Sequence, residues 1–157
     1  MKKTLRLFAL FSLLLTAVAG QNTAPSDPDR VSAAIHQSLQ DEMPTVVCRR
    51  GQPIEGSGSV LVESCFFEGT VIKLSVIPYA SKDVAKNHFR EFAALNKDKE
   101  TVSDIGEEGY AWGFRKSKTA FSKDRYNVYV SIDGEIVDVD KVSKKFAKVV
   151  AKGLKDL

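Results

Sequence analysis

Hydrophobic positions along the chain recur with two different periods, and the switches between them predict the order of elements. Val31, Ile35 and Leu39 return at four-residue steps with Ala34 beside them. This is the apolar stripe of a helix that starts near Pro28 behind an Asp27 cap and stops at Pro44. A short strand at 45–49 and a loop at 51–59 rich in Gly and Ser follow. Over 70–78 the period drops to two: Ile72, Leu74 and Val76 alternate with Lys73 and Ser75, so one face is buried and one is wet. The turn Glu68-Gly69 pairs this strand with 60–67 and sets Cys65 opposite Ile72, on the buried side. Ser81 caps a second helix, with Asp83 against its positive end and Ala85, Phe89, Phe92 and Ala93 as its stripe; the charged run 96–100 ends it. Tyr110, Trp112 and Phe114 alternate with Ala111, Gly113 and Arg115, which predicts a strand with an aromatic core face. A strand at 119–122 turns at Lys123-Asp124 into 125–132, where Tyr126, Val128, Val130 and Ile132 share a face. A final helix over 139–152, capped by Asp138 and stopped by Gly153, carries Val139, Val142, Phe146, Val149 and Val150 inward.

Two groups of three strands thus alternate with three helices, and hairpins dominate the connections. That order predicts an α+β fold: an antiparallel sheet of about five to six strands packed with three helices in one domain over 28–157. Composition agrees, since 43% of residues are hydrophobic and 27% charged, as in an ordinary folded domain.

The segment before that domain reads as an address. Lys2, Lys3 and Arg6 precede an apolar run from Leu7 to Ala17, and Ala17-Val18-Ala19 offers the small residues of a cleavage site. Residues 1–19 are therefore expected to be a secretory signal peptide and 20–27 a flexible tail, with cleavage after Ala19 or Gly20. The apolar run is shorter than the roughly 18–20 residues that span a bilayer, so no transmembrane anchor is expected. Gln21 stands where a lipoprotein signal would place its cysteine, so no lipid anchor is expected either. Cys48 and Cys65, the only cysteines, fit an oxidising compartment and are expected to form one structural disulfide, inside the hairpin. Closing that loop stabilises the fold by about 3 kcal/mol in the chain-entropy model.

The run Cys65-Phe66-Phe67, then Ile72, Leu74 and Val76, then Tyr79, Ser81, Ala85 and Phe89, resembles small exported bacterial domains with a PsbP-like fold. So do Ile105-Gly106-Glu107-Glu108-Gly109-Tyr110, the strand Tyr126-Asn127-Val128-Tyr129-Val130 and the closing amphipathic helix. The resemblance covers residues 31–154 and implies a sheet-and-helix sandwich that binds or supports partners outside the cytoplasm. It supplies no catalytic residue.

Charge narrows the partners. The formal net charge of +3 comes from 23 basic and 20 acidic residues, and all three excess positives lie before residue 21. A balanced remainder excludes a cationic nucleic-acid binder. Lys141, Lys145, Lys148, Lys152 and Lys155 form a stripe on the last helix that would suit an anionic envelope surface, although zero net charge favours a merely solvated face. Asn127 and Tyr129 sit on the strand face opposite Val128 and Val130, which is either an exposed partner face or a second layer under a helix.

Candidate chemistry is thin. His36 and His88 lie on separate helices with no metal-ligand pair beside them, so no metal is expected. Ser57 and Ser59 lack a nucleophile elbow, and Gly56 and Gly58 lack the lysine of a phosphate loop. Asp133, Glu135, Asp138 and Asp140 lack the spacing of a calcium loop. The expectation is an exported, non-catalytic binding or interaction domain without a cofactor, in the periplasm or outside the cell, whose partner is a protein or an envelope component. The alternatives are a hydrolase assembled around His88 and a distant carboxylate, or a structural component of the cell envelope.

Overall fold

The helix at the start of the domain shows why the elements form where they do. The structure, a computed structural model, describes residues 27–134, 136 and 138–157. The expected signal segment 1–19, residues 20–26 of the expected tail, and Glu135 lie outside the described residues. Helix α1 (Pro28–Glu42) begins at Asp27, whose side chain accepts from the Asp29 amide, and proline occupies the first turn, where no amide is needed. Its stripe of Val31, Ile35 and Leu39 is buried.

Strands β1 (Val47–Arg50), β2 (Leu61–Phe67) and β3 (Thr70–Pro78) form an antiparallel meander. Glu68 (φ 47°) and Gly69 (φ 77°) both take left-handed backbone in the β2–β3 turn, and Cys65 pairs with Ile72 as the two-residue turn requires. Helix α2 (Lys82–Ala94) follows, capped by Ser81 through the Val84 amide. Strands β4 (Glu100–Thr101), β5 (Glu108–Trp112), β6 (Lys118–Lys123) and β7 (Tyr126–Asp133) complete the sheet before helix α3 (Val139–Gly153).

The fold is α+β, with seven antiparallel strands in the order β1-β2-β3-β7-β6-β5-β4, one more than expected because β4 is a two-residue edge. β7 lies beside β3, so the two meanders join at the centre of one sheet. The Cys48–Cys65 disulfide is present, across directly paired positions of β1 and β2. Cys65 is fully buried, and no free cysteine remains.

Helices α1 and α3 pack together over one face of the sheet. Leu61, Cys65, Ile72, Leu74, Val76, Phe121, Val128, Val130 and Ile132 point into that layer and meet the stripes of both helices. Fully burying each such aliphatic or aromatic side chain contributes about 1.5–3 kcal/mol, so this face dominates stability. Helix α2 lies on the opposite face, against β5, β6 and β7.

Four sequence expectations change. Gly153 does not stop α3 with left-handed backbone; its φ is −61°, and its role is a close helix crossing, since a Cβ there would lie 2.7 Å from the Ala34 carbonyl oxygen of α1. Asp138 precedes α3 but has φ 61° and makes no side-chain cap bond. The β6–β7 turn is Asp124-Arg125, one residue later than expected, with Lys123 paired to Tyr126. The aromatic side of β5 faces α2 rather than the main core, and the strand ends at Trp112. Gly113 (φ 82°) breaks the alternation there and leaves Phe114 exposed in a short 3-10 turn.

Candidate functional site

The second face of the sheet is covered over only part of its width. On the β5–β6–β7 side the rings of α2 and the sheet interlock: Phe89 stacks on Tyr110 at 5.5 Å, and Phe92 meets Trp112 and Tyr129 edge-on at 5.5 and 4.8 Å. Asn127 is fully buried beneath this helix and donates from Nδ2 to the Ala85 carbonyl at 3.0 Å. Ion pairs hold the edge of α2 in place. Arg90 grips Glu108 with two 3.0 Å contacts from Nε, and Lys82 reaches Glu107 at 2.9 Å. The Arg90 guanidinium holds the Glu108 carboxyl below its usual range. Burial pushes Glu107 up, but Lys82 and the Asp124 amide outweigh it and leave that carboxyl lowered too.

Beyond Phe92 the helix layer stops, and a groove of about 650 Å³ opens over β2, β3 and β7. That volume lies within the range of small-molecule sites. Val62, Ser64, Lys73, Ser75 and Ser131 form its floor, since their pleat points them away from the main core. Phe92, Trp112 and Tyr129 form one wall, while Ile54, Ser57 and Ser59 of the glycine-containing loop form the other. Ser59 and Ser75 share a hydrogen bond at 2.8 Å that ties this loop to the floor. Ile54 remains 79% exposed. Burial, with Tyr79 adding to it, pushes the Tyr129 phenol up to about 12, so it stays a neutral hydrogen-bonding group at ordinary pH.

The structure separates the two residues expected to share a partner face: Asn127 lies buried under α2, whereas Tyr129 reaches past the helix into the groove wall. The lysines Lys141, Lys145, Lys148 and Lys152 are exposed on the far side of the molecule's helical layer. Lys152 is paired to Glu42 of α1 at 2.6 Å, and this contact raises the lysine and lowers the glutamate.

His88 faces solvent on α2, stacked on Tyr79 at 4.9 Å and 3.6 Å from Glu91, the next turn of the same helix. It does not line the groove over β2, β3 and β7. His36 behaves differently. Its Nε2 lies 2.9 Å from the carboxylate of Glu63, which is fully buried on β2 and also accepts from Ser32 Oγ at 2.8 Å. Both α1 groups bond the Glu63 carboxyl rather than each other, so the histidine does not reach the serine; the trio anchors α1 to β2 and gives the buried carboxyl its hydrogen-bond partners. Cys48 brings its sulfur within 4.8 Å of the same histidine and carboxylate, but that sulfur is held in the disulfide and offers no thiolate to a metal.

Sequence reasoning did not single out Glu63, Lys118 or the groove. The signal for Glu63 was its parity, between Leu61 and Cys65 on an inward face. The alternation through Trp112 predicts a core position, and the structure sets its ring against Phe92 of α2 on the second face.

No family model matches the chain, and neither does any curated protein. Among solved structures, the crystal structure of the extracellular domain of PknH from Mycobacterium tuberculosis is similar at 12% identity and a TM-score of 0.41. The match covers 83% of this chain and 98% of that one. Likeness of that degree assigns this chain neither a family nor a role, and the PsbP-like resemblance rests on the quoted residues alone. No described helix is long and apolar enough to cross a membrane.

Proposed function

We propose that the protein is an exported, non-catalytic binding domain that takes its ligand in the groove on the second face of the sheet. One observation carries this reading: α2 covers the face only as far as Phe92, and the remainder is concave, apolar and lined by an aromatic wall rather than by catalytic groups. The disulfide supports a location outside the cytoplasm, where thiols are oxidised. The signal peptide expected over 1–19 and the PsbP-like resemblance read from the sequence would give the same location.

Trp112 is the only tryptophan of the chain and stands in the groove wall, so its fluorescence reports occupancy directly. Titrating the protein with the neutral apolar dye N-phenyl-1-naphthylamine should give saturable quenching of Trp112 with energy transfer to the dye. Val62→Glu, which puts a charge on the groove floor, should abolish it while leaving the far-UV spectrum intact. Absence of saturable transfer in the unsubstituted protein would remove the reading.

A further inference from the structure

Resting on that reading of the groove, we propose that its ligand is a single-chain amphiphile with an anionic head, of the long-chain carboxylate class. Phe92 and Trp112 on one wall, Ile54 on the other and Val62 on the floor between them offer hydrocarbon and ring surface along a channel that a linear chain can fill. The charged part is an imbalance at its rim. Lys73 and Lys118 both line the groove, and Lys73 is already paired to Asp133. No carboxylate among the described residues forms an ion pair with Lys118. The one carboxylate along the groove, Glu63, turns its side chain to the opposite face and is engaged there by Ser32 and His36. The groove therefore presents an unmatched positive charge beside apolar walls, with the hydroxyls of Ser131 and Tyr129 as further hydrogen-bonding groups. An anionic head at Lys118 with its chain along Trp112 satisfies both. A neutral chain leaves the charge unmatched, and a cationic one is repelled.

The test compares three twelve-carbon probes at concentrations below micelle formation, read by Trp112 fluorescence on the full chain: laurate, dodecanol and dodecyltrimethylammonium. Laurate should bind saturably and about tenfold or more tighter than dodecanol, and the cationic probe weakest of all. Lys118→Glu should remove the preference of laurate over dodecanol, read as the ratio of the two affinities on the same variant. This exposed substitution leaves the fold intact, which the far-UV spectrum checks. Equal affinity for all three probes overturns the anionic assignment while leaving the groove reading in place. Failure of every probe and of the neutral dye overturns both. A shift of Trp112 emission with protein concentration alone, without probe, would mean that a second copy fills the groove, and the proposal would fail.

Discussion

The two faces of one sheet obey the same alternation and end up with opposite properties. On the α1/α3 face, Leu61, Ile72, Leu74, Val76 and Val130 are almost fully buried, and even a glutamate is tolerated there because two side chains compensate it. On the α2 face, one short helix covers three strands, and the neighbouring strands carry Val62, Ser64, Lys73 and Ser75 on an open floor. A buried face rewards close packing, whereas a half-covered face leaves apolar surface available to something else. Stability therefore rests chiefly on the first face, and the second is the one proposed to bind.

Substitutions one strand apart sharpen that division most. Leu74→Ala, on the closed face, should cost about 2–5 kcal/mol in urea unfolding, through lost burial plus a cavity. Val62→Ala, on the adjacent strand but facing the groove, should cost under about 1 kcal/mol and yet weaken dye binding. Equal costs would mean that the groove is a packed part of the core.

The disulfide comes next. Replacing both Cys48 and Cys65 by alanine should lower stability by about 3 kcal/mol, because the unfolded chain regains the entropy of its closed loop. The groove floor on β2 and β3 should still bind the dye under folding conditions. Gly153→Ala tests the helical layer: its new Cβ would meet the Ala34 carbonyl, and prising α3 from α1 should cost about 1–3 kcal/mol. An unchanged melting temperature would show that the crossing is looser than described.

The smallest effect is electrostatic and concerns the helix that bounds the groove. Glu108 has its pKa lowered in the folded state, chiefly by Arg90. Its contribution is present above the unfolded carboxylate range and is lost as pH falls through the folded value. Wild-type stability should therefore decline on acidification below about pH 4 more than that of Glu108→Gln, with a difference under about 1 kcal/mol because the pair lies near the surface. Parallel curves would mean that Arg90 does not restrain α2 through this carboxylate.

Most of the fold was legible because it is local. The alternation of Ile72, Leu74 and Val76, the Glu68-Gly69 turn and the caps at Asp27 and Ser81 each depend on neighbours within a few residues, and each appears where expected. The candidate site was legible only in fragments. Tyr129 was recognisable as half apolar and half wet, but whether a helix covers it depends on where α2 docks and how far it reaches. The floor depends on β7 inserting beside β3, a pairing between segments about fifty residues apart that no local pattern encodes. Phe114 shows the same limit at a smaller scale: its parity promised a core position, and the left-handed backbone of Gly113 ended the strand before it.

An amide and indole NMR map of the protein titrated with N-phenyl-1-naphthylamine tests the central claim most directly. Shifts should concentrate at Val62, Ser64, Lys73, Ser75, Ser131 and the Trp112 indole, with α1 and α3 unmoved. Shifts centred instead on the lysine face of α3, or spread evenly over the molecule, would contradict the assignment of binding to the open half of the sheet.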